Sequence, residues 1–274
     1  MKTTTIFLSL LMTIGIYVNA QNTNPKHVNW YKVPVAIETD NYKIELSNPV
    51  SKMEYAKMGI KITNTSNDYL MFNKGKTEFV YNKGNFSDKE KFIYILPTKS
   101  KSKTLKATGD NMFHVDTFTL NLKGLYVVSA KGKVAKADDF KLPASKNSLE
   151  AGNFKVKLLK LKQETQETYA KFECTYLGND IGILSPSKLS VKVDGKDGVE
   201  YANDNKKAKD ELLRKGEKIK FTVYFHIPGK VSDMQFSVLR INWNETFQES
   251  VPKEIKIKPI EFVVDEGLTN GKNK

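Results

Sequence analysis

The sequence predicts an all-β chain built as two tandem sandwiches. Three observations predict it. Short runs of apolar residues alternate with polar ones, and turn signals recur roughly every eight to twelve residues. No stretch sustains a long helical period. The chain also repeats itself. At a constant offset of 112 residues, Asn153-Phe154-Lys155-Val156 falls on Asn41-Tyr42-Lys43-Ile44 and Lys171-Phe172-Glu173-Cys174-Thr175 falls on Gly59-Ile60-Lys61-Ile62-Thr63. Asn179-Asp180 falls on Asn67-Asp68 without a gap. A chain of 274 residues holds two domains of common size.

The expected layout is a signal peptide at 1–20, a flexible segment at 21–29, a first sandwich at 30–140, a second at 141–264 and a flexible tail at 265–274. Trp30 to Val35 reads as an edge strand, because Pro34 has no backbone N–H for a ladder. Tyr42, Ile44 and Leu46 alternate, and Asn48-Pro49 is expected to end that strand. Met58, Ile60 and Ile62 alternate again, and Thr63 to Asp68 carries turn chemistry. Tyr69 to Phe72, Phe79 with Tyr81, and the continuous run Phe92 to Leu96 follow. Pro97 to Lys103 reads as a lysine-serine loop, and Phe118, Leu120 and Leu122 as a strand before Lys123-Gly124.

Leu142-Pro143-Ala144 echoes Val33-Pro34-Val35, which sets the expected boundary near residue 140. In the second unit the phase slips after Leu158, which predicts a β-bulge there. Lys206 to Lys218 has helix-like composition over a short stretch. Ile219, Phe221, Val223, Phe225 and Ile227 give the cleanest alternation in the chain. Ile255, Ile257, Phe262 and Val264 are assigned to the second unit's closing strand.

Composition narrows the function. The formal net charge is +13, and it falls to +12 without Lys2 of the leader. Lysine carries it; arginine occurs only as Arg214 and Arg240. A nucleic-acid reader interleaves arginine with aromatics on one face, so nucleic acid is not expected as a partner. The lone Cys174 rules out an internal disulfide. Lys2, an apolar run from Ile6 to Val18 and Val18-Asn19-Ala20 give a signal-peptide pattern with Gln21 as the expected mature start. No cysteine follows that run, so a lipoprotein anchor is not expected, and the mature chain is expected in a periplasm or outside the cell.

The second unit resembles a broad class of exported bacterial immunoglobulin-like domains. The residues that carry the likeness are Phe172-Glu173-Cys174-Thr175, Val191-Lys192-Val193-Asp194-Gly195, Leu213-Arg214-Lys215-Gly216 and Phe221 through Gly229, within 153–242. The first unit keeps Ile60-Lys61-Ile62-Thr63-Asn64 but lacks the Asp-Gly turn. The resemblance implies tandem immunoglobulin-like sandwiches and a binding, adhesion or envelope role, with no catalytic residues.

Several residues could carry chemistry or a structural role. Cys174 occupies the phase of Ile62 in the repeat and so reads as core. His114 and Asp116 share a strand face and form a conceivable acid–base pair. Asp194, Asp197 and Glu200 surround two glycines, but Lys196 and the spacing argue for a hairpin turn over a cation loop. Trp30, Tyr31 and Trp243 offer rings that either stack on sugars or pack at the domain junction. No catalytic residue, metal site or cofactor is expected.

Two lysine clusters remain. Lys99, Lys101, Lys103 and Lys106 form one; Lys206, Lys207, Lys209, Arg214, Lys215 and Lys218 form the other. They are expected to be equivalent loops of the two units and the first surface for an anionic ligand. The resulting expectation is an exported, non-enzymatic binding or scaffold protein that contacts an envelope protein or anionic glycan. The alternative is an enzyme or accessory module acting on polysaccharide or peptide.

Overall fold

A computed structural model describes residues 26–109, 113–196 and 198–274. The expected signal peptide lies outside the described residues. The chain is almost all β, with a single α-helix, Glu266–Lys272, among the described residues. None of their helices is long and apolar enough to cross a membrane.

Two large hydrophobic cores divide the strands into two similar halves. In the first half, Tyr42–Lys52, Tyr55–Asn64 and Ser100–Thr108 make one antiparallel sheet, with Asn29–Trp30 and Ile37–Glu38 on its far side. The facing layer is split. Tyr69–Asn73 and Glu78–Tyr81 are one run of chain broken by the 3-10 turn Lys74–Lys76. Tyr69–Asn73 pairs with Leu125–Val128 and Phe92–Ile95, whereas Glu78–Tyr81 pairs with Thr117–Asn121 and Gly84–Ser87. Gly124 makes the matching break between the two return strands. Its φ is +82°, and a Cβ there would lie 2.6 Å from the carbonyl oxygen of Asn73.

The second half repeats this plan. Tyr55–Asn64 matches Glu167–Tyr176 residue for residue at the offset of 112, and the 3-10 turn recurs as Pro186–Lys188. Ile44 pairs with Ile62, and Val156 pairs with Cys174. The expected bulge is present between Leu158 and Lys160. A similar one lies between Ser47 and Val50, with Asn48 at φ +47°. Asn48-Pro49 therefore bulges a strand that runs on to Lys52, and the expected strand end is corrected. A bulge holds Pro49 where no ladder N–H is required.

The C-terminal assignment is also corrected. Lys253–Glu254 pairs with Leu125–Val128, and Ile260–Val263 pairs with Thr117–Asn121, so both strands lie in the first half. Phe262 is fully buried there and stacks on Phe118 at 4.7 Å with near-parallel rings. In the second half the equivalent places are filled by Lys133–Val134 and Phe140–Leu142, which precede the other strands. Lys133, Val134, Phe140 and Leu142 stand 120 residues before Lys253, Glu254, Ile260 and Phe262. The chain thus enters the second half before residue 140 and leaves it after Ser250. The first half is closed by strands from both ends of the chain.

The ends are tied together. Tyr31 bridges to Val264, while Lys32 and Val33 run on outside any strand and Val35 is fully open to solvent. The expected edge strand 30–35 is thus reduced to Asn29–Trp30. Residues 265–274, expected as a flexible tail, contain the helix. The Asp265 carboxylate accepts from the Leu268 N–H at 2.9 Å, the usual N-cap contact. Thr269 Oγ1 accepts from the Trp30 N–H at 2.9 Å, and the Asn273 side chain brackets the backbone of Val28. Lys272 Nζ sits 3.9 Å from the centre of the Trp30 ring. Seven residues with two glycines have little intrinsic helicity, so docking and capping form this helix.

A third, smaller cluster joins the halves. Tyr69, Met71 and Val128 pack with Ile181, Ile183 and Leu212. All five residues of Tyr69–Asn73 are buried, because one face meets the first core and the other meets the junction. Tyr69 Oη donates to Asp210 Oδ2 at 2.6 Å, and Tyr94 Oη donates to Glu217 Oε2 at 3.2 Å. The Arg214 guanidinium lies 3.6 Å from the centre of the Phe92 ring while bonded to Glu217 at 2.7 Å.

Candidate groove for an anionic ligand

The late long strands of the two halves, Ser100–Thr108 and Lys218–His226, superpose at an offset of 118. Their pairing fixes this. Lys101 pairs with Ile62 and Lys103 with Ile60; Ile219 pairs with Cys174 and Phe221 with Phe172. Side chains alternate along a strand, so Lys101 and Lys103 share the face of Leu105 and Ala107, both fully buried in the first core. In the second half that face carries Ile219, Phe221, Val223 and Phe225, all packed on the core. Two lysines thus occupy positions where the repeat places apolar residues. They are exposed because the layers part at this end of the first half.

The parting leaves a groove of about 520 Å³ between the two layers and the neighbouring half. Lys91, Phe92 and Tyr94 line one wall; Lys99, Lys101 and Lys103 line the other; residues 209–212 of the second half close the end. The corresponding hollow beside Phe221 holds about 180 Å³. Lys91, Lys99, Lys101 and Lys103 form no ion pair among the described residues. The nearby acids are engaged. Asp210 accepts from Tyr69, and Glu211 pairs with Lys209 at 3.4 Å. Burial, followed by the Glu217 carboxylate, pushes the Tyr94 phenol up to about 12, so it stays a neutral donor. Unpaired cations above an aromatic wall give the groove a positive field.

The structure brings together Lys99, Lys101 and Lys103 of the first expected cluster with Lys209 of the second, and leaves the others outside the groove. Lys106 lies outside the groove, with Nζ 4.9 Å from the centre of the Tyr55 ring. Lys206 is paired with Asp204, and Lys207 borders the smaller hollow. Arg214 is committed to Glu217 and Phe92 at the junction. Lys215 donates to Asn179 Oδ1 at 2.9 Å. The two lysine clusters are therefore not equivalent. Lys99 to Lys106 lie on or beside a strand matching Glu217–Tyr224, whereas Lys206 and Lys207 precede Glu211–Leu213. That segment is a turn followed by a strand, not a helix. Lys91, Phe92 and Tyr94 were not among the candidates the sequence offered.

The other candidates have structural partners. Cys174 is fully buried, and burial pushes its thiol up to about 12. In the folded protein it stays protonated and should not react with a thiol reagent at about pH 8. Labelling should appear only on unfolding, where a cysteine titrates near 8.5. A fast-reacting native thiol would refute the core assignment. His114 does not pair with Asp116: its Nε2 meets the His27 carbonyl oxygen at 2.8 Å, and burial lowers its pKa. Asp194 binds Lys141 and Arg240, and Glu200 binds Ser190, Asn242 and Lys192; Asp197 lies outside the described residues. Tyr31 and Trp243 are core residues of the first and second halves, not sugar platforms or junction contacts.

No family model matches the chain, and no curated protein matches it. Among solved structures, the secreted serine protease VesC from Vibrio cholerae aligns over 73% of this chain and 48% of that chain, at 11% identity and a TM-score of 0.16. The chain thus spans about half the length of that protease. AerE from Microcystis aeruginosa aligns over 86% of this chain and 99% of that chain, at 12% identity and a TM-score of 0.10. Likenesses this weak bear on neither fold nor function.

Proposed function

We infer that this chain is an exported, non-catalytic binding protein made of two immunoglobulin-like sandwiches. It holds an anionic segment of an envelope protein or glycan in the groove at their junction. The observation that carries the reading is the placement of Lys101 and Lys103 on a core-facing strand phase where the repeat has Ile219 and Phe221. A sequence that departs from its own packing rule at one spot, and leaves charges unpaired there, points to a function at that spot. The rigid wall of Phe92 and Tyr94 is fixed by Arg214 and Glu217, so the site needs little ordering on binding. The alternative, an enzyme or accessory module acting on polysaccharide or peptide, needs a general acid and base within reach of each other. The groove's charges are instead mostly lysines, and its acids Asp210 and Glu211 already have partners.

Heparin serves as a generic polyanion probe. Binding measured by titration calorimetry is expected to weaken roughly tenfold or more between about 50 mM and about 500 mM salt, as screening shortens the reach of the lysine field. Binding that holds constant across that range would rule out an electrostatic site.

A further inference from the structure

The strand that carries Lys101 and Lys103 is also an open edge. Ser100–Thr108 ends its sheet and pairs with Tyr55–Asn64 alone. In an antiparallel ladder, alternate residues point their N–H and C=O groups toward the partner and away from it. The phase is known here, because the Lys106 N–H turns outward to the Asp88 carboxylate at 2.9 Å. Ser102 and Thr104 share that phase, and their backbone groups have no partner among the described residues. The second half treats the same edge differently. The Thr222 carbonyl accepts from the Asn205 side chain, and the Tyr224 N–H and carbonyl bond Asn203 and Asp204. The edges differ at Thr104, whose carbonyl is open where that of Thr222 is capped; Lys220, the match of Ser102, is open as well.

We propose that this edge receives an extended acidic peptide, which adds a strand at Ser102 and Thr104 and sets its carboxylates against Lys101 and Lys103. The proposal rests on the groove reading above and names its occupant. Backbone pairing supplies register, as in other strand-addition complexes. A neighbouring strand brings cross-strand side chains to about 5 Å, so every second residue of the guest faces the lysine side. Lysines on an edge also discourage pairing with another lysine-rich edge, which leaves an acidic strand as the complementary guest.

The test uses a peptide of about ten residues alternating Glu and Val, with blocked ends. Two further versions are N-methylated on one or the other alternate set of amides, and an oligogalacturonate of equal charge serves as the glycan arm. The peptide is expected to bind, and one methylated version to bind at least tenfold more weakly. Ser102→Pro removes an outward N–H without touching a lysine; it should weaken the peptide similarly and leave the oligogalacturonate unchanged. Should that variant fail to fold, the methylated pair decides alone. Equal binding of all peptide versions overturns strand addition while the anionic groove stands. Oligogalacturonate binding more tightly than the peptide makes a glycan the occupant. Failure of every probe at low salt overturns both readings.

Discussion

Phe262→Ala is expected to destabilise the first half by about 3–5 kcal/mol, the range for removing a fully buried aromatic ring. The second half should keep its stability. Phe262 lies in the core built around Ile44, Ile60, Phe79 and Phe118, although it is more than 130 residues away from any of them in sequence. Hydrogen exchange separates the halves, since it reports local opening where a single unfolding curve merges them. Amides of Tyr55–Asn64 should lose protection, and those of Glu167–Tyr176 should not. The same closure predicts unequal fragments. Residues 131–251 hold every strand of the second half and should unfold cooperatively on their own. Residues 30–129 lack Lys253–Glu254 and Ile260–Val263 and should not. A cooperative transition in residues 30–129 would contradict the closure.

The double substitution Lys101→Ile with Lys103→Phe installs the repeat's own residues in the groove. Polyanion binding should fall roughly a hundredfold, from two charge-assisted contacts worth about 1.5 kcal/mol each. The fold should not suffer. New apolar surface beside Ile60, Ile62 and Phe92 favours a gain of about 1–2 kcal/mol, read as a higher urea midpoint. Weaker binding together with greater stability marks residues kept for function. A variant that binds normally, or one that binds weakly because it is unfolded, would argue against the assignment.

Much of the fold was legible because the repeat is ungapped over its first part. The offset of 112 carries Tyr55–Asn64 onto Glu167–Tyr176 and correctly gives Cys174 the buried core position that Ile62 holds in the other half. The bulge after Leu158 was legible for the same kind of reason, since a phase slip in alternation has few other causes. The end of the chain was not. Alternation at Ile255, Ile257, Phe262 and Val264 identifies a strand but not its partner, and chain order favours the nearer half. The helix carries two glycines and forms through contacts with Trp30 and Val28, which no local pattern encodes. The groove was half legible. Lys99, Lys101 and Lys103 stood out by charge, but the constant offset hid their importance. Beyond the loop that precedes Glu211–Leu213 the repeat slips by six residues, from 112 to 118. Only that second offset sets Lys101 on Ile219 and Lys103 on Phe221.

Lysine footprinting tests the central claim most directly. The protein is acetylated by an amine reagent with and without saturating polyanion at low salt, and each lysine is read by mass spectrometry. Protection is expected at Lys91, Lys99, Lys101 and Lys103, while exposed lysines elsewhere, such as Lys155 and Lys258, react unchanged. Protection spread evenly over the surface, or centred on Lys206 and Lys207, would contradict the groove as the binding site.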